Sequence, residues 1–173
     1  MALKAPHRKV IADDLNFRCN NAASEGMVVC YSSTAGQVEK STSADSKKVA
    51  GLLMTNVEAR GMPLDLPLLG DDTGTADLPR NYNKNVTYVS GYVRMLKIGE
   101  VETDQIVSGD TPAAGSVAYI GAAGKLSTSI SGATLIHRAV VGHWLGAKDS
   151  NSFAKVWINI TSASVVPFSY IQH

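Results

Sequence analysis

Short apolar, β-branched segments dominate the pattern of hydrophobic and polar positions, and Gly, Ser, Thr, Asn and Asp separate them. This pattern is typical of strands joined by turns, and few windows show the period of a helix. In the clearest segment, 155–160, Val156, Ile158 and Ile160 share one side of a strand. We predict strands over 28–31, 86–89, 92–98, 117–120, 140–145 and 155–160, with a short helical turn over 11–17.

One glycine-marked unit occurs twice along the chain. A Gly turn leads into a strand, a Gly hairpin returns the chain, and a linker of Ser, Thr and Lys leads to a strand that begins with Gly. The three glycines recur at offsets of 89 (115 − 26), 88 (124 − 36) and 91 (142 − 51) residues. Three landmarks in the same order favour a duplication over chance. We therefore predict an all-β fold, a β-barrel or β-sandwich with a pseudo-duplicated Gly-hairpin unit, an extended N-terminal arm and a long loop.

The two ends and one central stretch do not fit the strand pattern. We interpret residues 1–24 as an N-terminal arm, 25–160 as a single β domain with a loop insertion at 58–85, and 161–173 as a C-terminal tail. The arm carries a basic cluster that could contact an acidic surface, although a frayed basic terminus is the simpler alternative; its members are Lys4, His7, Arg8 and Lys9. The tail is apolar for a chain end, so we expect it to pack on this subunit or a neighbour; the packing candidates are Phe168, Tyr170 and Ile171.

Composition and net charge exclude some classes of partner but do not identify a function. The chain has 173 residues, 18% of them charged, and a formal net charge of +1. This balance gives no reason to expect a nucleic acid or a membrane as partner. No apolar stretch approaches the roughly 20 residues that span a bilayer, and the first residues contain no apolar secretion signal, so we expect synthesis in the cytoplasm. There Cys19 and Cys30 are expected as reduced thiols, although one bridge between them is possible.

The candidate catalytic and metal motifs fail on spacing. Residues 121–127 resemble a phosphate-binding loop, but only two residues separate Gly121 from Gly124 and Leu126 follows the lysine, which favours a hairpin turn. His137 and His143 lack further ligands at metal-binding spacing. The acidic run 71–77 lacks the alternation and the closing Glu of a calcium loop, and the chain has no GxSxG elbow. The sequence therefore predicts no cofactor, no metal site and no enzymatic activity.

A Gly hairpin, a VGxxLG stretch and a closing strand follow one another over five segments, residues 91–101, 109–115, 117–127, 141–146 and 156–160. In this order the five segments resemble the capsid decoration, or cement, proteins of tailed bacteriophages. The resemblance covers residues 85–160, and residues 25–57 through the repeat; the arm and the 58–85 insertion lie outside it.

The resemblance implies a non-enzymatic virion protein on the outer surface of the capsid. Proteins of that family are small β proteins, commonly trimers, that hold neighbouring major capsid subunits together. The expected partners are therefore the major capsid protein and other copies of this chain in a homotrimer. The family offers no invariant residue to transfer. The alternative from another class is a β-sandwich receptor- or glycan-binding module, which the low aromatic content of 6% does not favour.

Overall fold

The computed structural model describes residues 9–41, 47–59, 86–130 and 139–160. These residues form eleven strands: β1 Lys9–Cys19, β2 Val28–Tyr31, β3 Gln37–Lys40, β4 Val49–Leu53, β5 Asn56–Glu58, β6 Val86–Tyr88, β7 Tyr92–Thr103, β8 Val117–Ile120, β9 Leu126–Ser127, β10 Val140–Trp144 and β11 Ala154–Asn159. The only helical element among them is a three-residue 3-10 turn, Ala122–Gly124. The prediction of an all-β fold is confirmed.

Strand pairing closes two five-stranded rings that share β7. In the first ring, β7 pairs with β4 and β1, β4 with β2, β2 with β3, and β3 with β1. In the second ring, β7 pairs with β11, β11 with β10, β10 with β8, and β8 with β9. A parallel bridge from Leu126 to Ile106, just beyond β7, closes this second ring. The 12 residues of β7 make it long enough to serve both rings.

The two rings repeat the same register, which shows that the glycine unit seen in the sequence is a structural duplication. In the first ring, Val29 lies opposite Gly51 and Cys30 opposite Val49, so that β4 is bulged between the two pairs. In the second ring, Ala118 lies opposite Gly142 and Tyr119 opposite Val140, with the bulge at the equivalent place. Each ring also ends with one parallel pairing between its first strand and its third, at Cys19–Val38 and at Ile106–Leu126. The sequence predicted two halves of one barrel or sandwich, and the structure closes a ring in each half.

The paired glycines have the same local role in each unit. The turn glycines Gly26 and Gly115 have φ of 87° and 83°, and the hairpin glycines Gly36 and Gly124 have φ of 73° and 74°. Such left-handed conformations favour glycine because it lacks a Cβ atom. The third pair, Gly51 and Gly142, lies instead where two strands approach closely.

Within the described residues, the core consists of two apolar clusters on opposite faces of the shared strands. All five residues of β4 are buried, because Leu52 packs in one cluster and its neighbour Leu53 in the other. The larger cluster surrounds the fully buried Trp144 of β10. In β11, Val156 and Ile158 are fully buried and Trp157 is half-buried, which confirms the alternation predicted from the sequence.

The helical turn predicted over 11–17 is wrong, because these residues belong to β1. Strand β1 pairs antiparallel with β7 from Lys9–Glu100 to Arg18–Tyr92, so the second part of the predicted arm is a strand of the first ring. The domain boundaries proposed from the sequence stay predictions. The parallel strands β5 and β6 flank residues 60–85, which hold most of the predicted loop insertion and lie outside the described residues.

Candidate interaction surface

The outward-facing side of β1 and β7 carries the three most exposed large hydrophobic residues of the described chain. Ile11, Leu15 and Tyr92 expose 56%, 58% and 59% of their surface. We call this surface, together with the charged side chains of Asp13, Arg18 and Arg94 on it, the β1–β7 face. Scattered exposed apolar residues are ordinary, but several on one face mark a site for contact with another macromolecule.

Strand alternation turns Ile11, Asp13 and Leu15 outward, and the pairing with β7 is irregular at both aliphatic residues. Val10 pairs with Gly99 and Ala12 with Ile98, so Ile11 is an extra residue in β1. Asp14 pairs with Met95 and Phe17 with Val93, so Leu15 and Asn16 together face a single residue of β7. Bulges of this kind redirect side chains, and they occur often beside functional surfaces. Both aliphatic side chains of the face therefore lie at bulges.

Charged groups frame the apolar residues of the β1–β7 face. The Arg18 guanidinium lies 4.8 Å from the centre of the Tyr92 ring, and its Nη2 donates a hydrogen bond of 3.3 Å to the Tyr92 hydroxyl. Arg94 Nε lies 2.5 Å from Asp13 Oδ2. Ion pairs this exposed add little to stability, so they are available for exchange with a partner's charges.

The structure locates one of the residues predicted as contact sites. Lys9 is the first residue of β1 and is exposed, so the basic cluster of the arm leads directly into the β1–β7 face. Lys4, His7 and Arg8 lie outside the described residues, as do the tail residues Phe168, Tyr170 and Ile171. The proposed roles of these residues stay predictions.

Sequence analysis missed Ile11, Leu15 and Tyr92. The signal for the first two is that Ile11 and Leu15 are large aliphatic residues four positions apart, with the charged Asp13 midway between them. In a strand, positions four apart lie on the same face.

The two cysteines are buried as thiols, in agreement with the expectation of reduced side chains. Cys19 packs in the smaller cluster and Cys30 in the larger one. Burial raises the pKa of the Cys19 thiol, and a backbone hydrogen bond with Asn21 partly opposes the rise. A buried thiol with a raised pKa is a poor nucleophile.

The remaining motifs give no site in the part of the chain that the structure describes. No three His, Cys, Asp or Glu side chains there are grouped so that they could hold a metal ion. Of residues 121–127, the first five form the turn between β8 and β9, with Ala123 and Gly124 at positive φ, and the last two are β9 itself, as the hairpin interpretation predicted. His143 is exposed on β10, whereas His137 and the acidic run 71–77 lie outside the described ranges. Across the described ranges, no helix is long and apolar enough to cross a bilayer.

Comparison with solved structures finds a phage capsid chain of similar fold. No family model and no curated protein matches the chain. A chain of the solved structure titled "The capsid of Myoviridae Phage XM1" is similar in fold, with a TM-score of 0.54 and 17% sequence identity. The match covers 92% of this chain and 93% of that one. At this identity the match shows a shared fold, and it extends over nearly the full length of both chains.

Proposed function

We propose that this protein is a non-enzymatic structural component of a bacteriophage virion, which binds the outer surface of the capsid as a trimer and holds neighbouring major capsid subunits together. The single observation that carries the proposal is the fold shared with a chain of the phage XM1 capsid over 92% of this protein. The resemblance of residues 91–101 and the later Gly-marked segments to decoration proteins leads to the same class of protein.

The architecture supports a mechanical role. Two rings that share β7 form one body, because β1, β4 and β11 all pair with that single strand. A body of this kind resists bending between its halves, as a clamp across subunits requires. Closed rings also leave few unpaired strand edges, which limits unwanted aggregation at the high local concentration of a capsid surface.

The β1–β7 face supplies the proposed contact with the capsid. Ile11, Leu15 and Tyr92 offer apolar surface, and Arg18 with the basic residues of the arm offers positive charge. We infer that this face meets an apolar patch of the major capsid protein that is bordered by carboxylates. Tyr and Arg are the side chains that most often carry the binding energy of such interfaces.

The test is binding to purified capsids that lack this protein. We expect saturable, stoichiometric binding and a higher temperature of capsid disruption. Leu15 is 58% exposed, so burial of its remaining surface stabilises a complex by about 1–2 kcal/mol, and Leu15→Ser should weaken binding by about 5- to 20-fold. The matched control is Leu145→Ser, which removes another leucine that is 43% exposed, just beyond β10.

Two results would overturn the proposal. One is the absence of this protein in stoichiometric amounts from intact virions. The other is a lack of binding to capsids by a correctly folded sample. Selective hits on a glycan array, together with no capsid binding, would favour a receptor-binding module instead.

A further inference from the structure

Strands β1, β7 and β11 pair with one another in that order, and β1 and β7 are the first strands of the two rings. Strand β1 pairs along one edge of β7, and β7 pairs along one edge of β11. The register is conserved from step to step: the Glu100–Trp157 pair between β7 and β11 corresponds to the Asp13–Leu96 pair between β1 and β7. Strand β11 therefore occupies the place of the first strand of a third unit.

One edge of β1 has no equivalent cover among the described residues. Both edges of β7 are paired, one with β1 and the other with β4 and β11. The edge of β1 that faces away from β7 pairs with β3 only at Arg18 and Cys19. From Lys9 to Asp13 no described strand lies on that edge, whereas the equivalent edge of β7 is covered by β1. We call this stretch the open β1 edge.

We propose that a neighbouring copy of this chain covers the open β1 edge with the segment that follows its own β11. This inference rests on the trimer in the proposed function and names the contact that builds it. Since β11 stands in the place of a first strand, the residues after it correspond to the later part of β7. In the conserved register, Asp13, Glu100 and Thr161 are at equivalent positions, and their partners Leu96, Trp157 and Lys9 are equivalent in turn. The proposed contact therefore places Thr161 of the neighbouring copy beside Lys9, with the two segments antiparallel.

The length and chemistry of the segment fit this role. Residues 161–173 comprise 13 residues, which span up to about 43 Å when extended. A strand added to an open edge gains main-chain hydrogen bonds, and its alternate side chains pack against the sheet. The segment carries several apolar side chains that need cover: Val165, Val166, Phe168, Tyr170 and Ile171.

The contact joins two different surfaces, the open β1 edge of one copy and the segment after β11 of the next. Such a heterologous contact closes into a ring when the rotation between copies permits it. A cyclic trimer requires a contact of this type, since a two-fold contact between identical surfaces stops at a dimer.

The test is disulfide trapping between two distinguishable chains in the absence of capsid. One chain carries Lys9→Cys and an affinity tag, and the other carries Thr161→Cys. Because residues directly opposite in adjacent strands have Cβ atoms about 4.5–5.5 Å apart, mild oxidation with diamide should join the two chains within minutes. The control pairs Thr161→Cys with Ala114→Cys, an exposed position beyond β7 in the second unit, and should give at least tenfold less product. A maleimide quench before denaturation keeps the buried Cys19 and Cys30 from reacting.

The second measurement is the native mass of a chain truncated after Ile160. We expect the full chain to be a trimer and the truncated chain to be a folded monomer with unchanged circular dichroism. A third sample carries Lys9→Cys and Thr161→Cys on the same chain. If a disulfide formed only within that chain and not between the two singly substituted chains, the proposal would be overturned, because the chain's own tail would then cover the edge. An unchanged trimer after truncation would overturn it equally. A trimer that traps as expected but fails to bind capsids would refute the capsid role and leave this contact standing.

Discussion

Gly142 lies where β10 passes closest to β11, and the backbone of β11 fills the space that a side chain would need. A Cβ atom built on Gly142 would lie 1.8 Å from the Trp157 carbonyl oxygen and 3.1 Å from the Ile158 Cα. Overpacking costs about 1–3 kcal/mol where side chains can shift, and more where they cannot. Here the obstacle is a paired backbone, so we expect Gly142→Ala to lower the free energy of unfolding by about 3 kcal/mol or more. For a chain of this size, that corresponds to about 6–12 °C in Tm.

The equivalent glycine of the first unit provides a graded comparison. A Cβ atom at Gly51 would lie 2.9 Å from Met95 Cβ and 3.1 Å from the Leu96 carbonyl oxygen, a smaller overlap than at Gly142, so Gly51→Ala should cost less, about 1–2 kcal/mol. Gly146 has nothing within 4 Å and no positive φ, so Gly146→Ala should change stability by less than about 0.5 kcal/mol. Urea unfolding followed by circular dichroism measures all three. If Gly142→Ala were as mild as Gly146→Ala, the close approach of β10 and β11 would be refuted.

Two further predictions concern side chains away from the β1–β7 face. Cys19 and Cys30 are buried, so native protein should react with a colorimetric thiol reagent far more slowly than urea-unfolded protein, which should titrate two thiols; rapid reaction of the native protein would contradict this burial. The hydrogen bond from Lys47 holds the pKa of Glu39 below its ordinary value of 4.5. A lowered carboxyl pKa contributes stability above the unfolded value that is lost as pH falls through the folded value. Glu39→Gln should therefore destabilise the protein at pH 7, and its difference from the parent should narrow below pH 4.5; a constant difference across that range would count against the Glu39–Lys47 pair.

The local parts of the fold were predictable because their signals are short-range. The alternation around Val156 and Ile158 defined β11, since one face of that strand packs in the core and the other meets solvent. The glycines at 26, 36, 115 and 124 marked turns because each has a positive φ. These signals depend on a few adjacent residues, and the structure preserves each of them.

The shared role of β7 and the β1–β7 face could not be predicted, because they depend on pairing between distant segments. The sequence of β1 lacks the alternation typical of a strand, because the small Ala12 and the charged Asp14 face inward while the more apolar Ile11 and Leu15 point outward. Its place in the sheet comes from main-chain pairing with β7, about 80 residues away, and main-chain groups are the same in every sequence. The bulges at Ile11 and Leu15 likewise depend on the pairing with β7.

Strand β7 belongs to both rings, so the two repeated units meet at a strand that they share and not at a linker between them. Most duplicated proteins can be divided at a linker, and each half then retains its own core. Here, removal of either half strips β7 of partners along part of its length and uncovers the apolar cluster that β2 and β4 share with β8 and β10. The duplication therefore produced one cooperative folding unit, and a substitution in β7 is expected to weaken both halves together.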